Sequence, residues 1–429
     1  MTEQPLQIPL PPSVHHICRV LRDGGCQAFV VGGGVRDALL GRPVHDWDVA
    51  TDAPPERVQQ LFPRTVPTGI EFGTVTVLVD SDAVQVTTFR SEGGYRDARH
   101  PGWVTFGHRI EDDLMRRDLT VNALAYDPFS GRLVDPYGGR ADLAAGIIRT
   151  VGNPIERFQE DALRLVRAVR LATELGFRLD YRTAAAVRCC AQELARVSRE
   201  RVGQEWRRLL GASGAGRGLR LLYRTRLLPY VLRGPTRLGG EEVARTAAAL
   251  ERMAASDGAT KMAAVLYGLS SPGAEETLMR DLVYPRQVIR RAGHLVRCLR
   301  EWRADRAETD AGLRRFLARV GREEARAFLE LWSAWQPVYP DRLGSRDVAA
   351  RAQAILQASV PLSISELAVD GRDLQAAGGV PSGPEVGAML TRLWEHVLDH
   401  PEDNERERLL ELVRRWMSGQ DQSQIATGS

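Results

Sequence analysis

Apolar positions recur every three or four residues through PSVHHICRVLRD, which predicts a helix over Pro12 to Asp23. QAFVVGG then reads as a strand, and VRDALLG as a helix closed by Gly41. DWDVAT is predicted as the next strand and PPERVQQLF as a short helix opened by proline. FGTVTVLVD and AVQVTTFR alternate apolar and polar residues, which predicts two strands joined as a hairpin around Ser81–Asp82. SEGGYRDARHPGWVTFG carries no such pattern. It reads as a long glycine-rich loop, of the kind that often carries function.

From Pro154 the spacing turns helical nearly to the end. RFQEDALRLVRAVRLATELGF, EVARTAAALERMAA, RQVIRRAGHLVRCLREW, GLRRFLARV and GPEVGAMLTRLWEHVL all show it. Breaks near Gly211–Gly216, Gly234, Ser271–Gly273 and Ala377–Pro384 separate these runs. The chain therefore reads as α+β at its N-terminal end and all-α beyond, and its 429 residues suit two or three domains. The polar segment from Ser418 is expected to be disordered.

Composition narrows the function classes. The formal net charge is only +3, and the basic residues are almost all arginine, with Lys261 the single lysine. Arginine supplies planar, always-charged donors for phosphate. No basic tail stands out, so a nucleic-acid surface would be assembled by folding scattered arginines onto one side. Five cysteines without a C-x-x-C argue against a disulfide framework or a zinc knuckle. With no evident signal peptide and no long apolar run, a cytoplasmic location is expected.

The most specific chemistry lies in VVGGGVRDALLG and the HDWDVATD that follows it. Asp46 and Asp48, two apart in extended chain, would point to one face. Paired like charges repel unless a cation sits between them, and hard oxygen ligands suit Mg²⁺. The glycines let backbone N–H groups approach a phosphate. Taken singly, a D-x-D is often a solvated turn and a GGG often only a tight turn. A dinucleotide fingerprint fails because Asp37 stands where its third glycine belongs, and no Gly-Lys-Ser/Thr follows for a Walker loop.

Asp161, Arg164, Arg167 and Arg170 follow at strict three-residue steps, which on a helix would form one stripe, with Leu163, Val166, Val169 and Leu171 anchoring the other sides. A solvated Asp–Arg pair is the plain reading. The sharper one is that carboxylate and guanidinium together present acceptors and donors to the edge of a base. Between the two motifs, RRDLTVNALAYD offers Arg117 as a phosphate contact; a capping aspartate with two exposed arginines is the plain alternative there.

These ordered motifs, with DPYGGRADL, ERFQEDALRLVRAVRLA and VSRERVGQEWRRLL, resemble the class II tRNA nucleotidyltransferases, the bacterial CCA-adding enzymes of the polymerase-β superfamily. VDGRDLQAAGGVPSGPEVGAMLTRLWEHVLDHPEDNERERLLELV is similar to the tail of the Bacillus-like members. The resemblance implies a polymerase-β-like head with a mixed sheet over residues 1–145, a helical neck over 146–210, a body over 211–345, a tail over 346–418, and disorder over 419–429. It implies template-independent addition of CCA to tRNA from CTP and ATP with Mg²⁺. Asp46 and Asp48 would hold the metal, and Gly33, Arg36 and Arg117 the nucleotide phosphates. Asp161 and Arg164 would pair with the base, oriented by Glu160, while Arg167 and Arg170 support the triphosphate and the template helix.

Departures matter too. Many relatives carry a glutamate where AVQVTTFR has Gln85, so a third active-site carboxylate is missing. PTGIEFGTVTV lacks the basic stretch of the poly(A) polymerases that share the head. The long loop with Tyr95, Arg96, Asp97 and Arg99 speaks for CCA or A addition over CC addition alone. A non-catalytic RNA-binding protein with a decayed head is the alternative that Gln85 invites. No phosphohydrolase His-Asp pattern is found in the C-terminal half, so hydrolytic side activity is not expected.

Overall fold

The first helix, α1 (Pro12–Asp23), forms where the apolar spacing places it. Proline occupies its first position, and Gly24 and Gly25 follow its last turn, Gly25 at φ +81°. In the computed structural model, which describes residues 6–93, 103–358, 360–376 and 379–418, Val14, Ile17 and Leu21 of this helix enter the main core. Each fully buried side chain of this size contributes about 1.5–3 kcal/mol.

That core lies on one face of a seven-stranded mixed sheet. In chain order the elements are β1 (Ala28–Val31), α2 (Gly33–Leu39), β2 (Asp48–Thr51), α3 (Pro55–Leu61), β3 (Thr65–Gly69), β4 (Thr74–Val79) and β5 (Asp82–Thr88). Then come β6 (Arg90–Gly93), β7 (Trp103–Phe106), α4 (Ile110–Met115), β8 (Ala125–Tyr126), β9 (Leu133–Val134) and α5 (Gly139–Ala145). The sheet order is β3-β4-β5-β2-β1-β8-β9. β2 and β5 run parallel, and the other neighbours antiparallel. Val30, Val49, Val75, Val77 and Val86 fill the face toward α1. Val31, Ala50, Phe89 and Ala125 fill the opposite face with Ile110 and Leu114 of α4. Alternation along β2 thus sets Val49 on one side and Ala50 on the other, and Asp48 falls on the side of Ala50.

After β10 (Ile147–Ile148) the chain becomes helical. α6 (Pro154–Glu160) and α7 (Leu163–Leu175) are followed by β11 (Arg178–Leu179), which pairs in parallel with β10. α8 (Tyr181–Cys189), α9 (Arg199–Gly211) and α10 (Ala215–Arg224) continue. Leu163, Val166, Val169 and Leu171 are all buried, as their spacing predicts. The described chain divides into two units, one running to Ala247 and taking in Thr277–Tyr284, the other formed by Ala248–Glu276 and the chain from Pro285. The second unit is helical. Trp302, Phe316, Phe328 and Trp332 cluster in one of its cores, and Leu374, Leu393, Val397 and Leu409 in another. Among the described residues no helix is long and apolar enough to cross a membrane.

Several expectations are corrected. The predicted single helix over RFQEDALRLVRAVRLATELGF is two, because Asp161 is extended (φ −143°, ψ 105°) and lies between α6 and α7. Its carboxylate accepts from the Leu163 N–H at 3.0 Å, the cap-like bonding that aspartate favours over a helix interior. The hairpin turns at Asp80–Ser81, since Val79 pairs with Asp82, and Asp80 takes φ +51°. The flanks of the predicted loop pair as β6 and β7. Tyr95, Arg96, Asp97 and Arg99 lie outside the described residues, as does the chain from residue 419.

The glycine turn is a packing necessity as well as a flexible one. A Cβ on Gly34 would come within 2.8 Å of the Trp47 ring and 3.1 Å of the Asp46 carbonyl oxygen. Gly34→Ala is therefore expected to destabilise the protein by about 1–3 kcal/mol in a urea titration, by the cost of overpacking. An unchanged midpoint would show that the turn and the aspartate segment are not packed together.

Candidate active site

Gly32 (φ +74°) ends β1 and caps α2, bringing the start of that helix beside β2. Asp48 opens β2, with Asp46 just before the strand. The alternation holds beyond the strand end, because Trp47 packs into the main core while Asp46 and Asp48 both line an open cleft of 840 Å³. Gly32, Gly33, Arg36, Arg117, Asp161, Arg164, Arg167 and Arg170 line the same cleft. The metal and nucleotide candidates named from the sequence therefore line one cleft.

The electrostatics of the acidic pair fit a hard divalent cation. Burial pushes the Asp48 carboxyl up; Arg117 opposes that, and Asp46 adds to it. The Asp46 carboxylate is exposed and accepts no hydrogen bond among the described residues. No group of three or more His, Cys, Asp or Glu assembles among them. Gln85 is exposed on β5 and in register with Asp48, so an amide stands beside the acidic pair where a carboxylate was expected in relatives. Two carboxylates with the rest of the coordination left to phosphate and water is the usual protein share of a Mg²⁺ site.

The arginines are held by carboxylates. Arg36 makes a two-pronged pair with Asp37 (3.0 and 2.7 Å) and donates to the Asn122 side-chain oxygen at 2.6 Å. Asp113, only 1% exposed, binds Arg116 at 2.7 Å and Arg117 at 3.0 Å. Burial of Asp113 resists its ionisation, but Arg117 and Arg116 outweigh this and hold its carboxyl below the usual range. The plain alternative for these two arginines, exposure around a capping aspartate, does not hold. Asp118 accepts from Arg167 at 2.8 Å and from Asn122 at 3.1 Å. Its burial, too, is outweighed, here by Arg167, the Asn122 hydrogen bond and Arg164, so its carboxyl stays well below the ordinary value.

The neck row is not a free stripe. Asp161, off the helix, pairs with Arg201 of α9 at 2.7 Å. Arg164 donates to Glu160 at 2.6 Å and to the Arg116 carbonyl at 3.2 Å. Arg170 is buried between Glu205 and Glu174, at 2.5 Å from each. Sequence reasoning missed Asp113, Glu205, Arg201 and Arg208, and it missed Phe72 and Arg90, which also line the cleft. VSRERVGQEWRRLL was the available signal for those on α9, its Arg201 and Glu205 four apart and so on one face.

Comparison with known proteins decides the family. Residues 28–149 match the model of the poly A polymerase head domain, 176–237 that of a probable RNA and SrmB-binding site of polymerase A, and 254–413 that of a putative tRNA nucleotidyltransferase domain 2. The CCA-adding enzyme of Geobacillus stearothermophilus is 38% identical over 396 residues, 92% of this chain and 94% of that protein. The chain belongs to the CCA-adding enzymes. The Enterococcus faecalis member is 34% identical over 410 residues, 94% of this chain and 95% of its own. Among solved structures, the Bacillus stearothermophilus CCA-adding enzyme in complex with CTP matches with a TM-score of 0.77 and 33% identity, covering 96% of this chain and 99% of its own. The Thermotoga maritima CCA-adding enzyme complexed with tRNA shares the fold at 19% identity and a TM-score of 0.69.

Asp113 is buried and shared by two arginines, so its removal takes the same carboxylate from both. Asp113→Asn is expected to cost about 3 kcal/mol in a denaturant titration, the scale for breaking a buried pair by removing one partner. A change below about 0.5 kcal/mol, the scatter of surface substitutions, would contradict the pairing.

Proposed function

We propose that this protein adds C, C and A in turn to the 3′ end of tRNA, using CTP and ATP and releasing pyrophosphate, with Mg²⁺ held by Asp46 and Asp48. The observation that carries the reading is the single cleft in which the acidic pair, the arginine array and the Asp161–Arg164 pair meet. The ion, when bound, supplies charge neutralisation at the triphosphate and lowers the proton affinity of the attacking hydroxyl. The chain's residues do the remainder. Gly33, Arg36, Arg117 and Arg167 bind the phosphates. Arg36 and Arg167 are fixed by Asp37 and Asp118, so little side-chain entropy is lost on binding. Asp161 accepts and Arg164 donates to the edge of the incoming base, with Glu160 orienting Arg164. Arg170, locked between two glutamates, serves as a strut for the template helix.

The step itself is an in-line transfer. The oxygen of the RNA 3′-hydroxyl bonds to the α-phosphorus, and the bond from that phosphorus to the bridging oxygen breaks. Pyrophosphate departs with the electron pair and the hydroxyl proton passes to water. In functional terms residues 1–145 act as the catalytic head, 146–210 as the nucleotide-selecting neck, and 211–345 and 346–418 as the body and tail that hold tRNA. With such substrates the place of work is the cytoplasm.

The function is tested with transcripts ending before the first C, after one C and after two, each offered labelled CTP or ATP alone. Stepwise C, C and then A addition is expected. Unlimited A addition would instead mark a poly(A) polymerase, and growth of none of the ends a decayed head. Asp48→Asn is expected to abolish addition while tRNA binding, read by gel shift, stays within about twofold, because only one carboxylate is lost from a separate surface. Asp161→Ala is expected to relax the choice of CTP and ATP over UTP and GTP by about tenfold or more, the scale of one lost specific hydrogen-bonding partner. Equal loss for all four nucleotides would contradict the base-reading role.

A further inference from the structure

The cleft extends past the phosphate-binding arginines, and its far end carries cations that the reading above leaves unused. α9 runs alongside α7 in the same sense. Arg201 meets Asp161 at one end, and Glu205, one turn on, meets Arg170. Arg208 follows Glu205 by three residues and lines the cleft together with Glu174, Leu175 and Ser213. Its side chain is exposed and has no hydrogen-bond or ion-pair partner among the described residues. Arg42, just after α2, lines the cleft too and donates to the carbonyl oxygen of the same Glu174 at 3.2 Å. This is the only hydrogen bond its guanidinium makes among the described residues. In a cleft where seven other arginines are matched by carboxylates, two guanidiniums with donors to spare form a site for a small, highly charged anion.

The order of groups from Asp161 along α7 says which anion. With the base at Asp161 and Arg164 and the phosphates at Arg167, the triphosphate tail points toward Arg170 and the Arg42–Arg208 end. In an in-line transfer the RNA 3′-oxygen bonds to the α-phosphorus on one side, and the bond to the bridging oxygen breaks on the other. Pyrophosphate leaves with that electron pair, on the side away from the RNA. We propose that Arg42 and Arg208 form a pyrophosphate-accepting end of the cleft, which takes up the leaving group as the bond breaks and governs its departure. This inference rests on the placement of base and phosphates given under the proposed function.

The test is product inhibition of CTP addition by inorganic pyrophosphate, in the full-length protein and in Arg208→Gln, Arg42→Gln and Arg208→Lys, each first shown to melt like wild type. In the glutamine variants the inhibition constant for pyrophosphate is expected to rise by about tenfold, the scale of one lost charge-assisted hydrogen bond. The KM values for CTP and RNA should rise far less, and lysine should recover part of the effect. An unchanged inhibition constant would overturn the proposal. So would equal rises in inhibition constant and KM for CTP, which mark a triphosphate contact, or a rise confined to the KM for RNA, which marks a backbone phosphate. Wild type that adds no CTP would overturn the functional reading itself. Wild-type addition with undiminished inhibition in both glutamine variants would overturn this inference alone.

Discussion

Arginine beside carboxylate is the interaction on which this cleft depends. Arg36, Arg116, Arg117, Arg164, Arg167, Arg170 and Arg201 all line it, and each is paired with an aspartate or glutamate. Two like charges 4 Å apart repel by about 4 kcal/mol at an effective dielectric of 20. So many guanidiniums could not share one cavity without anions among them. The carboxylates remove that repulsion and fix the planar groups in place. They also leave donors over for phosphate oxygens. The acidic pair Asp46–Asp48 is the inverse case, crowded carboxylates with one cation, Arg117, to offset Asp48. A cavity with surplus donors on one wall and surplus acceptors on another is complementary to a nucleotide triphosphate carrying its metal.

The pairings also explain how distant parts of the chain build one site. Asp113 ties two arginines to α4, Asp118 reaches Arg167 on α7, and Arg164 returns a hydrogen bond to the Arg116 carbonyl. The sheet residues and the first neck helices are thereby joined through the groups that line the cleft. The glycine turn serves the same end, since only the absence of a side chain at Gly34 lets Trp47 and the Asp46 backbone approach. Precision here comes from packed backbone and ion pairs, with few flexible side chains left to order.

Much of this was legible in the chain. α1 and α3 lie where periodicity and proline place them, and the buried face of α7 follows its spacing. Gly33, Arg36, Asp46 and Asp48 stood out because they share one short stretch, and Arg117 because it stands in a second motif. What escaped was tertiary or conformational. The three-residue spacing suggested that Asp161 shares a helix with Arg164, yet its side chain caps the Leu163 N–H and the backbone there is extended. An aspartate before an apolar helical run is a start signal, and helix periodicity hid it. The pairings of Glu205 and Arg201 are decided by packing across 35 and 40 residues, whereas Asp113 stands three and four residues before Arg116 and Arg117, a helical spacing that EDDLMRRD did offer. β6 and β7 escaped because glycine-rich flanks show no alternation.

The central claim is that Asp46 and Asp48 bind a nucleotide triphosphate through a shared divalent cation inside this arginine-lined cleft. Its most direct test is calorimetric titration of a non-hydrolysable CTP analogue into the protein, with and without Mg²⁺, in wild type and in the Asp46→Asn, Asp48→Asn double variant. The account predicts that Mg²⁺ tightens binding in wild type and has no effect in the variant. Equal tightening by Mg²⁺ in both proteins would contradict it.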